Sequence, residues 1–114
     1  MGDHATASGW SSHAEGQTTV ATGDRSHAEG YDTTASGNSA HAEGNGTIAS
    51  NSYTHAEGQD SVASNTAAHA EGYGSTASGY VSHAEGYQTQ ARATGTHTEG
   101  YQTQAMNYSH AEGY

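Results

Sequence analysis

The residues of this chain able to do chemistry recur as one tetrapeptide. His-Ala-Glu-Gly begins at His13, His27, His41, His55, His69 and His83, returns at His97 with Thr98 in the alanine place, and returns again at His110. Each step is 14 residues except the last, which is 13. An imidazole and a carboxylate two residues apart can exchange protons as base and acid, hold a divalent metal ion, or pair with one another. On a strand, residues two apart share a face. Stacked copies of the unit would therefore align His13 to His110 in one column and Glu15 to Glu112 in a second.

Three readings of these columns compete. In the structural one the face lines the axis of an oligomer, and His of one chain meets Glu of the next, layer by layer, through His27/Glu29, His41/Glu43, His55/Glu57, His69/Glu71 and His83/Glu85. In the metal reading, His13, His27, His41, His55, His69, His83, His97 and His110 are ligands, and three symmetry-related copies on an axis hold zinc or nickel. The catalytic reading fails, because catalysis needs one constellation in a pocket and eight equal copies on a flat ladder supply none. The expectation is a non-enzyme without a cofactor. Glu beside a buried imidazole should raise the His pKa, which predicts greatest stability at mildly acidic to neutral pH.

The unit that carries the tetrapeptide is itself double. Ala14, Ala28, Ala42 and Ala56 are each followed seven residues later by alanine, at Ala21, Ala35, Ala49 and Ala63. One heptad reads Ser/Ala/Thr-His-Ala-Glu-Gly plus two variable residues; the other reads Thr/Ser-x-Ala-x-Gly/Asn plus two. Each heptad predicts a five-residue strand and a two-residue turn. Within residues 26–30, Ser26, Ala28 and Gly30 point one way and His27 and Glu29 the other. The heptads end in Gly, or in Asn51, Asn65 and Asn107, the residues that best tolerate positive φ, which predicts a corner there. Ala93 interrupts that pattern, and Gly95 is expected to take over its turn. A coiled coil is excluded because Ala and Gly occupy the repeating positions.

Two strands per 14-residue coil predict a flattened parallel β-solenoid, all-β, with Ser/Thr, Ala and Gly inside and the larger side chains outside. The whole of residues 1–114 is one array: a partial coil at 1–12, coils starting at 13, 27, 41, 55, 69, 83 and 97, and a partial coil at 110–114. At about 4.8 Å per coil, eight coils make a rod roughly 40 Å long.

Composition agrees with a thin interior. Phe, Leu, Cys, Pro and Lys are absent, and the large aliphatics are Val20, Ile48, Val62, Val81 and two Met. So few methyl groups cannot offset the ordering of every residue, and homo-oligomerisation is expected. Twelve acids against Arg25 and Arg92 give a formal charge of −10. No basic surface exists for nucleic acid or for an anionic membrane, and no apolar run is long enough for a transmembrane helix. No signal-peptide leader is evident, and Lys-bearing phosphate loops and calcium-roll motifs are absent.

Units such as Ser26-His27-Ala28-Glu29-Gly30 and Thr33-Thr34-Ala35-Ser36-Gly37 resemble the head repeats of YadA-like trimeric autotransporter adhesins, which also occur in some phage tail-fibre proteins. The resemblance spans essentially the whole chain. It implies a left-handed parallel β-roll, three chains around one axis, and attachment to a host receptor, glycan or matrix protein outside the cell, from a cell surface or a virion. His and Glu stand where such heads often carry Val or Ile. Neck, stalk and anchor sequences are not seen, so the chain is expected to be a segment of a longer fibre.

Two further columns invite a function. Tyr31, Tyr73, Tyr87, Tyr101 and Tyr114 follow the Gly of the unit and predict an interrupted aromatic ridge, either packing over the corner or contacting a ligand. Thr19, Thr33, Thr47, Ser61, Ser75, Thr89 and Thr103 would suit an ice-binding solenoid if they faced outward. Alternation places them inside, bonding to backbone.

Overall fold

The computed structural model describes residues 4–106 and 108–113. Asn107 and Tyr114, assigned above to a corner and to the ridge, lie outside the described residues. Every strand is parallel to its neighbours, and the strands fall alternately into two sheets. The ladder sheet holds β2 (His13–Gln17), β4 (His27–Tyr31), β6 (His41–Asn45), β8 (His55–Gln59), β10 (His69–Tyr73), β12 (His83–Tyr87), β14 (His97–Tyr101) and β16 (His110–Gly113). The opposite sheet holds β1 (Thr6–Ala7), β3 (Val20–Ala21), β5 (Thr34–Ala35), β7 (Ile48–Ala49), β9 (Val62–Ala63), β11 (Thr76–Ala77), β13 (Gln90–Ala91) and β15 (Gln104–Ala105).

Each residue pairs with its equivalent one coil away, His27 with His41 and Ala28 with Ala42. Even the 13-residue step keeps register, since His97 pairs with His110. The molecule measures 39 × 21 × 10 Å, the length expected for eight stacked coils. The strands differ from expectation in extent. Those of the ladder sheet begin at His and, from β2 to β14, run one residue past Gly, and those of the opposite sheet are two residues long rather than five.

The interior is built from small residues. Ala28, Ala35, Ala42, Ala49, Ala56 and Ala63 are fully buried, as are Thr19, Thr33, Thr47, Ser61, Ser75 and Thr89; Thr103, near the end of the array, is half-buried. A flat Thr array facing solvent is therefore not formed by this column. Several hydroxyls close turns: Ser26 Oγ donates to the Gly23 carbonyl at 2.6 Å and Thr54 Oγ1 to that of Asn51 at 2.6 Å. In the Thr/Ser column, Thr47 and Thr103 reach the Glu43 and Glu99 carbonyls, Ser61 and Ser75 those of Gly72 and Gly86, and Thr89 the Ser75 hydroxyl. Thr19 and Thr33 close no hydrogen bond through Oγ1.

The corners correct the sequence reading. Gly30 does not face inward: it is exposed, with φ of +110°. A Cβ there would lie 2.1 Å from the Gly44 carbonyl oxygen, so both conformation and stacking demand glycine. In the other heptad Gly23, Gly37, Asn51 and Asn65 do not take positive φ. The left-handed residue comes two positions later, at Ser11, Arg25, Ser39, Tyr53, Ala67, Val81 and Gly95, and the same offset after the unit's Gly gives Thr18, Asp32, Gly46 and Asp60. Gly95 occupies this regular seat and does not compensate for Ala93. The cause is stacking rather than local preference. The left-handed residue's N–H donates to a carbonyl of the preceding coil, as Arg25 to Trp10 at 2.7 Å and Tyr53 to Asn38 at 2.9 Å. That bond holds bulky residues in a conformation they otherwise avoid.

Candidate functional site

Coil stacking turns the tetrapeptide into the ladder. Because β2 to β16 are in register, the outward imidazoles lie one above another. From His27 to His110, successive rings stack with centroids 4.6–4.8 Å apart and planes within 15°. The first rung differs: His13 meets His27 at 68°.

Four carboxylates, Glu15, Glu29, Glu43 and Glu71, lie within 4.0 Å of two imidazoles of their own chain. Oε2 of Glu29 is 3.8 Å from Nε2 of His27 in the same coil, and Oε1 is 3.5 Å from Nε2 of His41 in the next. Glu43 stands likewise at 4.0 Å from His41 and 3.6 Å from His55, and Glu71 at 4.0 Å from His69 and 3.4 Å from His83. Glu15 repeats this with His13 and His27; Glu57, Glu85 and Glu99 reach His69, His97 and His110 of the following coil. Distances short enough for a hydrogen bond occur at His83–Glu71 and His97–Glu85. Nε2 of His27, His41, His55 and His69 is closed to solvent and completes no hydrogen bond. The side chains in mid-ladder are about one-third exposed, His69 at 34% and Glu57 at 33%.

The sequence reading paired His of one chain with Glu of another. Within a single chain, every ladder His from His27 onward already faces a Glu of the coil before it. The missed signal is the diagonal: with a 14-residue stack, Glu and the His 12 residues later become neighbours. The expected electrostatics are reversed at His69. Burial lowers its pKa from the ordinary 6.5, the neighbouring His83 and His55 lower it further, and Glu57 offsets part of this. Stacked imidazoles are like charges once protonated, and the attraction of one carboxylate does not overcome that and the loss of hydration. In the carboxylate column, a hydrogen bond with Glu71 is the main cause holding Glu85 below its usual range. Glu99 is pushed up, first by a hydrogen bond with Glu112.

The tyrosines flank this sheet at the corner after Gly. Tyr73, Tyr87 and Tyr101 form a stack, with centroids 5.1 and 4.8 Å apart and planes within 6°. Tyr31 stands apart, since Asn45 and Gln59 occupy the coils between. Both faces of Tyr87 are covered by its neighbours, so the stack offers ring edges and hydroxyls to solvent rather than open faces. No pocket is present among the described residues.

The repeat that builds these coils also matches a known family. The YadA head domain repeat matches residues 2–26, 28–50, 56–82 and 70–89. This chain belongs to the YadA head-repeat family. No curated protein sequence matches it. In this YadA head-repeat chain, His and Glu are the outward residues of every tetrapeptide unit, whereas the outward residues of the short strands change from Val20 and Ile48 to Gln90 and Gln104.

Proposed function

We propose that this segment is the rigid head portion of a homotrimeric adhesive fibre, displayed outside the cell or on a virion, with the His/Glu face toward the threefold axis. Membership of the YadA head-repeat family supports an adhesin-like structural repeat. The observation that carries the axial assignment is the contrast between the faces: the ladder repeats the same two side chains in eight coils, as a surface meeting copies of itself would. The outer residues of the opposite sheet vary, as positions meeting water or an unlike partner do.

The surfaces left outside are the opposite sheet and the corners with Trp10, Tyr53 and Tyr80, all more than half exposed. These would meet a host receptor, glycan or matrix protein. Light scattering tests the assembly: the expected mass is three times 11.6 kDa, and a folded single chain in dilute solution would remove the basis for this reading.

A further inference from the structure

The ladder is also a series of metal donor sets. One ligand atom each from His41, Glu43 and His55 lie within 4.8 Å of one another, and the trio recurs as His13/Glu15/His27, His27/Glu29/His41, His55/Glu57/His69 and His69/Glu71/His83. Glu15, Glu29, Glu43 and Glu71 each straddle two imidazoles, and four of the Nε2 atoms have no hydrogen bond to give up. We propose that a single chain binds divalent transition-metal ions of zinc's class in this ladder, each held by Nε2 of two histidines one coil apart and by the carboxylate between them.

Two imidazoles and one carboxylate are a borderline donor set that suits zinc and leaves a fourth position for water. Zinc–nitrogen bonds of about 2.0–2.1 Å in a tetrahedral site put the two nitrogens roughly 3.4 Å apart. The stacked rings must therefore tilt toward the shared carboxylate. The first rung, where His13 meets His27 at 68° rather than in a stack, shows that the ladder accommodates a rotated ring. Metal binding also relieves the charge of the carboxylate column.

Sharing of ligands fixes the stoichiometry. His55 belongs to the trios of both Glu43 and Glu57, and one Nε2 holds one ion, so neighbouring trios exclude each other. The eight ladder histidines thus fill at most four sites per chain, one for every two coils. This inference uses the geometry of one chain and does not rest on the trimer.

Calorimetric titration of zinc chloride into chelator-stripped, assembled protein tests it. Saturation is expected at about four ions per chain. His55→Gln should reduce that to three, and the double variant His41→Gln/His55→Gln should stay at three, because the pairs 13/27, 69/83 and 97/110 survive in both. These side chains point outward, and unchanged circular dichroism verifies the fold of each variant. Saturation at eight ions per three chains, which an axial ring of histidines would give, overturns the proposal, as does one ion per unit falling stepwise from eight to seven to six, or the absence of saturable binding. Light scattering on the same samples separates the two readings: four zinc ions on a non-trimeric protein sinks only the axial interface, and a trimer without zinc binding sinks only the metal sites.

Discussion

The two outer faces of the solenoid share one backbone repeat and one coil spacing, yet they are built to different rules. On the ladder face, strands of four or five residues hold His and Glu in columns that repeat from coil to coil. On the opposite face, two-residue strands present Val20, Thr34, Ile48, Val62, Thr76, Gln90 and Gln104 in turn. The corners differ in the same way. The ladder side ends in Gly in every unit, including Gly58 with φ of +101°, whereas the opposite side accepts Asn51, Asn65 and Ala93 among its glycines. The lesson is that stacking alone does not require uniformity. Where uniformity is found, a second constraint acts: backbone conformation for the glycines, and contact among equivalent side chains for His and Glu.

The largest effect that would sharpen this contrast is at a ladder-side corner. Gly58→Ala forces a side chain into a left-handed conformation and places its Cβ 2.1 Å from the Gly72 carbonyl oxygen. It should cost about 3 kcal/mol or more. The opposite-side change Ala93→Gly should cost no more than about 1 kcal/mol, the ordinary price of added chain freedom. Urea denaturation of both variants measures the difference, and equal losses would break the distinction between the corners.

A smaller effect separates the faces by pH. His69 faces His55, His83, Glu57 and Glu71, and its folded-state pKa is lowered. A lowered imidazole pKa contributes stability that is present above the unfolded value near 6.5 and is lost as pH falls through the folded one. Glu85, also lowered, contributes above its ordinary 4.5 and loses that in acid; Glu99, raised, works weakly in the other direction. With chelator present, the melting temperature should stay level from pH 9 to 7 and decline by a few degrees as pH drops from 6.5 toward 5. A melting temperature that climbs over that acid interval would restore the expectation of raised His pKa values drawn from the sequence.

Much of the fold was legible because period is a property of the sequence itself. The 14-residue spacing yields the coil and the rod length, and alternation around Ala28 and Ala35 places those alanines inside. What was not legible arises between coils. The left-handed residues, Arg25 or Tyr53 among them, carry no local mark, because the carbonyl of the coil before holds them there. The diagonal pairing of Glu29 with His41 follows from side-chain reach across the stack. The pKa of His69 depends on whether burial and two neighbouring imidazoles outweigh one carboxylate, a balance that needs distances. Residue types did identify the ladder, since no other titratable pair recurs in every coil.

The inequality of the two faces is tested most directly by placing one charge on each. Glu57→Lys puts a cation among the stacked imidazoles of the ladder, and Val62→Lys puts the same charge on the opposite sheet. Light scattering at equal dilute concentrations should show that Glu57→Lys lowers the assembled mass toward that of one chain while Val62→Lys leaves three chains together. Dissociation by Val62→Lys with Glu57→Lys still trimeric would assign the self-contacting role to the other face and contradict the account.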